Sequence, residues 1–371
     1  MKPTQSKICG VGAALALAWA LAAPAMAQTS IERVNRGVVE LETGTASGIS
    51  GKIAEDLANL LDDGATRRVV PVIGKGSLQN IVDLKALRGI DLAIIQADVL
   101  DYARTQKVVP GIESLTYITK LYNEELHLLT RRDVKSIDEL AGKKVNFDQR
   151  AGGTGVTAAK LFALLKIQIE PTSFNAEEGL VKLANGEIAA MALVAGKPAP
   201  LFSRLGERDN LHLLSIPLRP DITGAFVPTR ITAQDYPGLV TAEAPVDTIA
   251  VGAVLAVANL QVGSDRYNNV SNFVDAFFTQ FPTLLEPGHH PKWHEVNLAV
   301  DIPGWRRFGP ADQWLKRNAT VAAKPGGPDM RAMFQRFLDE RLQVTGGGGM
   351  SQQQKEDLFN QFERWQASQG H

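Results

Sequence analysis

Gly37-Val38-Val39-Glu40-Leu41, then Thr43-Gly44-Thr45-Ala46-Ser47-Gly48, then Ile49, Ile53, Leu57 and Leu60 near helical spacing: this stretch decides the fold. A β-prone run opens into a glycine- and hydroxyl-rich turn, and the turn opens into an amphipathic helix. The unit recurs. Arg68–Ile73 reads as a strand and Gly74-Lys75-Gly76 as a turn, with Ser77 the N-cap of a helix carrying Leu78, Ile81 and Val82. Asp91–Ile95 is a third strand, ending at Gln96-Ala97-Asp98. Lys144–Asp148 opens into Arg150-Ala151-Gly152-Gly153-Thr154-Gly155 and a helix through Val156, Ala159, Phe162 and Leu165. Alternation of this kind predicts an α/β protein.

Further out the pattern continues. Glu113–Thr130 contains two β-rich runs, expected to form a connection. Asp133–Leu140 is helical, with Ser136 as its cap and Gly142 as its stop, and Asn175–Ala184 is a helix ended by Asn185-Gly186. Ile188–Val194 delivers Ala195-Gly196-Lys197-Pro198, and Leu211–Ile216 is a further strand. Asp247–Val257 is strongly β-prone and is expected to return the chain to the first half. Beyond Gln261 the character turns helical and Trp-rich, with Trp293, Trp305 and Trp314; Gly346–Gly349 reads as a linker before a last helix, Ser351–Ser368.

The beginning of the chain is set aside as an export signal. Lys2 and Lys7 precede an apolar run from Val11 to Ala23, and Ala25-Met26-Ala27 supplies the small-x-small pattern for cleavage after Ala27. Pro24 interrupts the run before it reaches the roughly 20 residues a membrane helix needs. The one cysteine, Cys9, lies inside the signal, so the mature chain is expected to hold no disulfide and no thiolate metal site. Loss of Lys2 and Lys7 takes the formal charge from −1 to −3, which gives no footprint for nucleic acid or an anionic membrane. The expectation is a periplasmic monomer.

A strand–turn–helix unit presents unpaired N–H groups and the positive end of a helix dipole, the arrangement that holds anions. Glycine permits close approach and Ser or Thr adds a hydroxyl. Any one such turn commonly does no more than cap its helix; three together are able to surround a small carboxylate. None fits a nucleotide-binding fingerprint. His289, His290, His294 and Glu295 invite a metal reading, but Pro291 interrupts a helix at their start, and surface histidines are the simpler account. Gly304-Trp305-Arg306-Arg307-Phe308 and Trp314 are expected to anchor the tail on the first lobe.

Read together, Thr43–Gly48, Gly74–Ile81, Asp91–Val99, Ser136–Val145, Gly152–Gly155 and Val194–Pro200 resemble the TAXI family. These are the solute receptors of tripartite ATP-independent periplasmic (TRAP) transporters, and the likeness runs from about Gly37 to Leu260. It implies a type II periplasmic-binding-protein-like fold: two α/β lobes joined by crossover strands, a ligand cleft between them and a helical C-terminal extension. The implied division is signal 1–27, first lobe 28–130, second lobe 131–230, return to the first lobe 231–345, and linker with last helix 346–371. It also implies no cofactor, no catalytic residue, a small carboxylate, dicarboxylate or amino acid such as glutamate as ligand, and membrane permease subunits as partners. By position, Thr43, Thr45, Ser47, Gly48, Ser77, Gln96 and Asp98 would face the ligand from the first lobe. Gly152, Gly153, Thr154, Gly155, Val194, Gly196 and Lys197 would face it from the second.

Three departures bear on the ligand. Ser47-Gly48-Ile49 stands where the family commonly carries aromatics, Lys197 stands where an apolar residue is commoner, and the tail beyond Gln261 is long. Lys197 is expected either to pair with a second ligand carboxylate or to lie on an exposed lip. Two other readings stay open: a cleft enzyme on the same fold, and a ligand-sensing partner of a signalling protein.

Overall fold

The structure, a computed structural model, describes residues 37–44 and 48–318. The export signal with Cys9, the turn residues Thr45 and Ser47, the Gly346–Gly349 linker and the helix at Ser351–Ser368 lie outside the described residues.

Each strand–turn–helix unit of the sequence forms as such. The first strands are β1 (Val38–Thr43), β2 (Arg68–Ile73) and β3 (Leu92–Gln96). The helices between and after them are α1 (Ile49–Leu61), α2 (Ser77–Ala86) and α3 (Ala97–Thr105). β1 pairs in parallel with both β2 and β3. Parallel pairing needs a crossover, and the helices supply it.

The long strand β4 (Thr116–Arg131) then leaves this first lobe. The second lobe contains β5 (Lys144–Asn146), α4 (Thr154–Leu165), β6 (Glu170–Thr172), α5 (Ala176–Ala184) and β7 (Ala190–Ala195). It is completed by β8 (Leu211–Leu213), the one-turn α6 (Pro220–Thr223) and β9 (Val227–Ile231). β10 (Val246–Val257) returns, followed by α7 (Asp265–Gln280) and α8 (Gly309–Arg317).

The sheet runs β2-β1-β3-β10-β4-β7-β5-β6, with β8 on β4 and β9 on β10. β10 and β4 are its centre. Toward the first lobe β10 pairs with β3, and toward the second β4 pairs with β7. Glu125 opposite Ala195 is the pair at which β7 joins β4, so residues 123–125 sit at the changeover between lobes.

Two hydrophobic clusters cover the two faces of the first lobe's sheet. One joins Leu41, Ile53 and Leu57 to Phe273 and Phe277 of α7 and to Trp293; the other joins Ile81, Leu84, Ile95 and Val99. The second lobe is built alike, with Leu128, Val145 and Leu161 on one face and Leu129, Met191 and Phe202 on the other. Two double-faced α/β layers joined by crossover strands make the periplasmic-binding-protein-like fold.

In the crossover region the structure corrects an expectation. Glu113–Thr130, expected as two β-rich runs forming a connection, instead holds β4, a single strand of 16 residues. Glu124 and Glu125 do not break it because each finds partners. Glu124 accepts from Gln96 Nε2 (2.7 Å) and from the Tyr122 hydroxyl (3.2 Å), and Glu125 accepts from Lys292 Nζ (2.8 Å) and the Lys197 amide (2.8 Å). Paired acids stay tolerable in a strand interior where unpaired ones would not. The tail is anchored on the first lobe as expected: Trp293 is fully buried with its Nε1 donating to Asp56 (2.8 Å), and Trp314 stands edge-on to Phe278 at 5.2 Å.

Candidate functional site between the lobes

Four helices begin at the lobe junction, and none has a side-chain cap. The N-cap positions are Gly48 for α1, Gly76 for α2, Gln96 for α3 and Gly153 for α4. Helices α5 and α7 differ, with Asn175 and Ser264 accepting from the amides of Glu178 and Tyr267. An uncapped helix start leaves N–H donors for something else.

The turns are tied to one another before they meet the other lobe. The Thr43 carbonyl accepts from the Gly74 amide (3.1 Å) and from Asn80 Nδ2 (3.0 Å), which locks the first turn to the second. A Cβ on Gly74 would lie 2.4 Å from that same carbonyl, so glycine is required there. Ser77 Oγ accepts from the Gln96 amide (3.1 Å), and Thr154 Oγ1 accepts from the Val194 amide (3.1 Å).

Across the junction the lobes touch through glycines. A Cβ on Gly153 would fall 1.5 Å from Gln96 Oε1, and one on Gly76 would fall 2.7 Å from Gly152 Cα. One on Gly196 would fall 2.7 Å from Ile49 Cδ1. The Gln79 amide donates to the Ala151 carbonyl (3.2 Å), and the Thr157 hydroxyl donates to Asp98 Oδ2 (2.6 Å). This is a closed arrangement.

Of the residues picked out in the sequence, Thr43, Gly48, Ser77, Gln96, Gly153, Thr154, Val194 and Gly196 gather at this junction. Asp98 and Gly152, which also meet the facing lobe, border together with Gly155 a groove of about 540 Å³ between α3 and the second lobe. Lys197 overturns both alternatives offered for it. Its ammonium turns into the second lobe, to Asp235 (3.0 Å) and the Arg230 carbonyl, and is neither an exposed lip nor open to a ligand. The carboxylate of Asp235 is itself fixed by its own turn, accepting from the Thr232 amide and hydroxyl, and holds that ammonium at 3.0 Å.

The hinge strand carries side chains that the sequence reading missed. Lys292, 4% exposed, reaches Glu125 and Glu295 (2.8 Å each) and the Asn123 carbonyl (2.9 Å), which closes a buried ion cluster against β4. Glu124, on the other face, remains half-buried, and burial pushes its carboxyl up to about 7 against the lowering pull of Gln96 and Tyr122. Burial likewise raises Asp98 to about 6 and Glu42 to about 8, the latter aided by the Asp83 carboxylate beside it. Buried side-chain oxygens without a hydrogen-bond partner include Glu42 Oε2, Asn80 Oδ1, Gln96 Oε1 and Asp98 Oδ1, all on the first lobe's junction edge. The signal for this group was present in the sequence: two adjacent acids in the middle of an apolar run. Among the described residues no group of three or more His, Cys, Asp or Glu is arranged to hold a metal ion, and no helix is long and apolar enough to cross a membrane.

Set beside known proteins, the two-lobed chain matches the model of the NMT1-like family over residues 41–277. The chain belongs to that family. Solved structures similar to it include the alkanesulfonate-binding protein of Xanthomonas axonopodis pv. citri bound to MOPS, at 15% identity over 78% of each chain and a TM-score of 0.43. The periplasmic aliphatic sulphonate-binding protein of Escherichia coli is similar at 14% identity over 81% of this chain and 82% of that one, TM-score 0.41. The ligand-binding component of an ABC-type import system from Staphylococcus aureus, with zinc bound, is similar at 11% identity over 78% and 83%, TM-score 0.43.

Proposed function

We propose that the chain is an exported periplasmic solute receptor that captures a small organic acid between its lobes and hands it to the membrane permease of a TRAP-type transporter. The observation that carries this reading is the meeting of uncapped helix starts from both lobes at one junction closed by glycines. Such starts hold a carboxylate through N–H donors and the dipole without any cation. Closure around the ligand is the binding event, and because an open and a closed receptor present different surfaces, a permease is able to tell a loaded receptor from an empty one. The TRAP assignment rests on the ordered turn motifs Thr43–Gly48, Gly74–Ile81 and Val194–Pro200. No residue is assigned a catalytic role.

A thermal-shift screen of the chain from Gln28 to His371 against small carboxylates, dicarboxylates and amino acids tests the reading. A ligand that binds only the folded state at a hundredfold excess over its dissociation constant adds about 2.7 kcal/mol of stability. A hit recovered chemically unchanged supports capture. No hit across the acids would sink the carboxylate assignment, and a consumed ligand would replace the receptor by an enzyme.

A further inference from the structure

Resting on that reading of capture, we infer that Asp98 of the first lobe and Thr157 of the second form the clasp that holds the receptor closed. The clasp shuts with a proton on Asp98, which links capture to proton uptake. Asp98 lies in the first turn of α3 and Thr157 in the first turn of α4, and the two helices pack against each other across the junction. The Thr157 hydroxyl donates to Asp98 Oδ2 at 2.6 Å. Gly76 against Gly152 and the Gln79 amide on the Ala151 carbonyl are contacts of backbone. Asp98 to Thr157 joins a side chain of each lobe, and the two separate when the lobes part.

Asp98 Oδ1 is the independent observation. It is buried without a hydrogen-bond partner, although an ionised carboxylate accepts at both oxygens. A buried charge with one oxygen unserved is costly, and a proton on that oxygen removes the charge while Oδ2 goes on accepting from Thr157. Burial accordingly pushes the carboxyl from 3.8 up to about 6, against the lowering pull of the Thr157 hydroxyl, the Lys160 ammonium and the amides of Val99 and Asp98. Parting the lobes removes the second lobe's wall and returns Asp98, in the first turn of its helix, to water and to its ordinary value.

A carboxyl raised in the closed form favours closing at low pH: its contribution is complete below 3.8 and is lost as pH climbs through about 6. Going from pH 7.5 to pH 5 it tightens capture about tenfold. Other charges face the same place. Asp101 and Tyr102 stand on α3 itself, Lys160 on α4 with its ammonium 5.0 Å over the Phe226 ring, and Asp148 and Arg150 in the turn after β5. Asp101 is held by Arg104 (2.9 Å) and by Trp305 Nε1 (3.1 Å). Asp148 and Glu124, both raised by burial and the second to about 7, also titrate at the junction. The clasp is therefore read from the difference that a substitution at Asp98 makes.

The test measures binding of L-glutamate, L-aspartate and L-lactate by calorimetry at pH 5 and pH 7.5, on the chain from Gln28 to His371. Asp98→Asn keeps an acceptor for Thr157 and cannot ionise, so it stands for the protonated clasp. At pH 7.5 it should bind at least tenfold more tightly than the parent, and that advantage should shrink about tenfold at pH 5, where the parent carries the proton itself. Comparing the two proteins at one pH cancels the titration of the probe. Thr157→Val should weaken binding roughly three- to tenfold at both pH values, and Thr157→Ser should recover most of the loss. Weaker binding by Asp98→Asn than by the parent at pH 7.5, an advantage that does not change with pH, or full binding by Thr157→Val overturns the clasp and leaves capture standing. Proton counting decides even if no variant folds. Titrated in two buffers of different ionisation heat, the unaltered protein should take up most of a proton per acid bound at pH 5, and no uptake overturns the clasp. No binding of any of the three acids by the unaltered protein overturns capture of such acids and takes the clasp with it.

Discussion

At the scale of single residues, burial shifts the acids on the first lobe's edge toward their protonated forms. Glu42 is 3% exposed, and burial together with the neighbouring Asp83 carboxylate pushes it from 4.5 up to about 8. A carboxyl raised on folding contributes its stability fully below the unfolded value of 4.5 and loses it as pH climbs through about 8. Thermal midpoints should therefore fall between pH 5 and pH 8.5, and Glu42→Gln, which keeps a donor for Asp83 and cannot ionise, should flatten that fall. The gap corresponds to an upper bound on the order of 3–5 kcal/mol; a variant whose pH profile parallels the parent's would show that Glu42 is ionised in the fold. Lys197 is a second case. Because its ammonium is committed to Asp235, Lys197→Ala should cost about 1 kcal/mol of stability and change affinity equally for mono- and dicarboxylates. Selective loss of the dicarboxylates in a titration series would return that lysine to the cleft.

At the scale of elements, closure depends on glycines, and at Gly153 it is contact rather than backbone conformation that demands one. Gly153 has φ −92°, which any residue adopts, so its need for glycine comes from Gln96 Oε1 and Val99 Cγ2, standing 1.5 Å and 3.1 Å from where a Cβ would be. Gly153→Ala should leave each lobe folded, hold the lobes apart and weaken ligand binding at least tenfold, or about 1.4 kcal/mol. Small-angle scattering would register the wider particle. Gly206→Ala, with nothing within 4 Å, is the control and should bind as the parent does. Equal affinities for the two variants would remove Gly153 from the closure contact. The turns themselves were legible because a strand–glycine–helix unit is a local pattern: Thr43 stands at a strand end, and Ser77, Gly153 and Thr154 at helix starts. Gln96 was legible as a strand end, but its bond to Glu124 spans 28 positions and no periodicity announces it. For Lys197 the difficulty was the reverse. Its position in a junction loop was readable, while the Asp235 that claims its charge is 38 residues away in a segment without a motif.

At the scale of the whole molecule, the hinge between lobes is held to the C-terminal segment by charge buried under a hydrophobic lid. Lys292 leaves the segment after α7 and enters β4 at its changeover, where it bonds Glu125 and Glu295 and the Asn123 carbonyl. Glu295 also accepts from the Asn123 amide (2.9 Å), while Trp293 packs between them and the first-lobe core against Phe277 at 5.9 Å. The tail is thus part of the hinge. Burying these ions is itself expensive, so their pairing need not stabilise the fold relative to an apolar filling, but breaking it strands a carboxylate. Lys292→Met should therefore destabilise by about 3–5 kcal/mol, because Glu125, 2% exposed, keeps its charge without its partner. Adding Glu125→Gln to Lys292→Met should restore a substantial part of that loss, since the stranded charge goes with it. A double-mutant cycle in denaturant measures the difference. Simple additivity of the two losses would mean that the ammonium and the carboxylate are not coupled in solution. Strong recovery would establish that the hinge is a charge-compensated joint between β4 and the segment that carries Lys292.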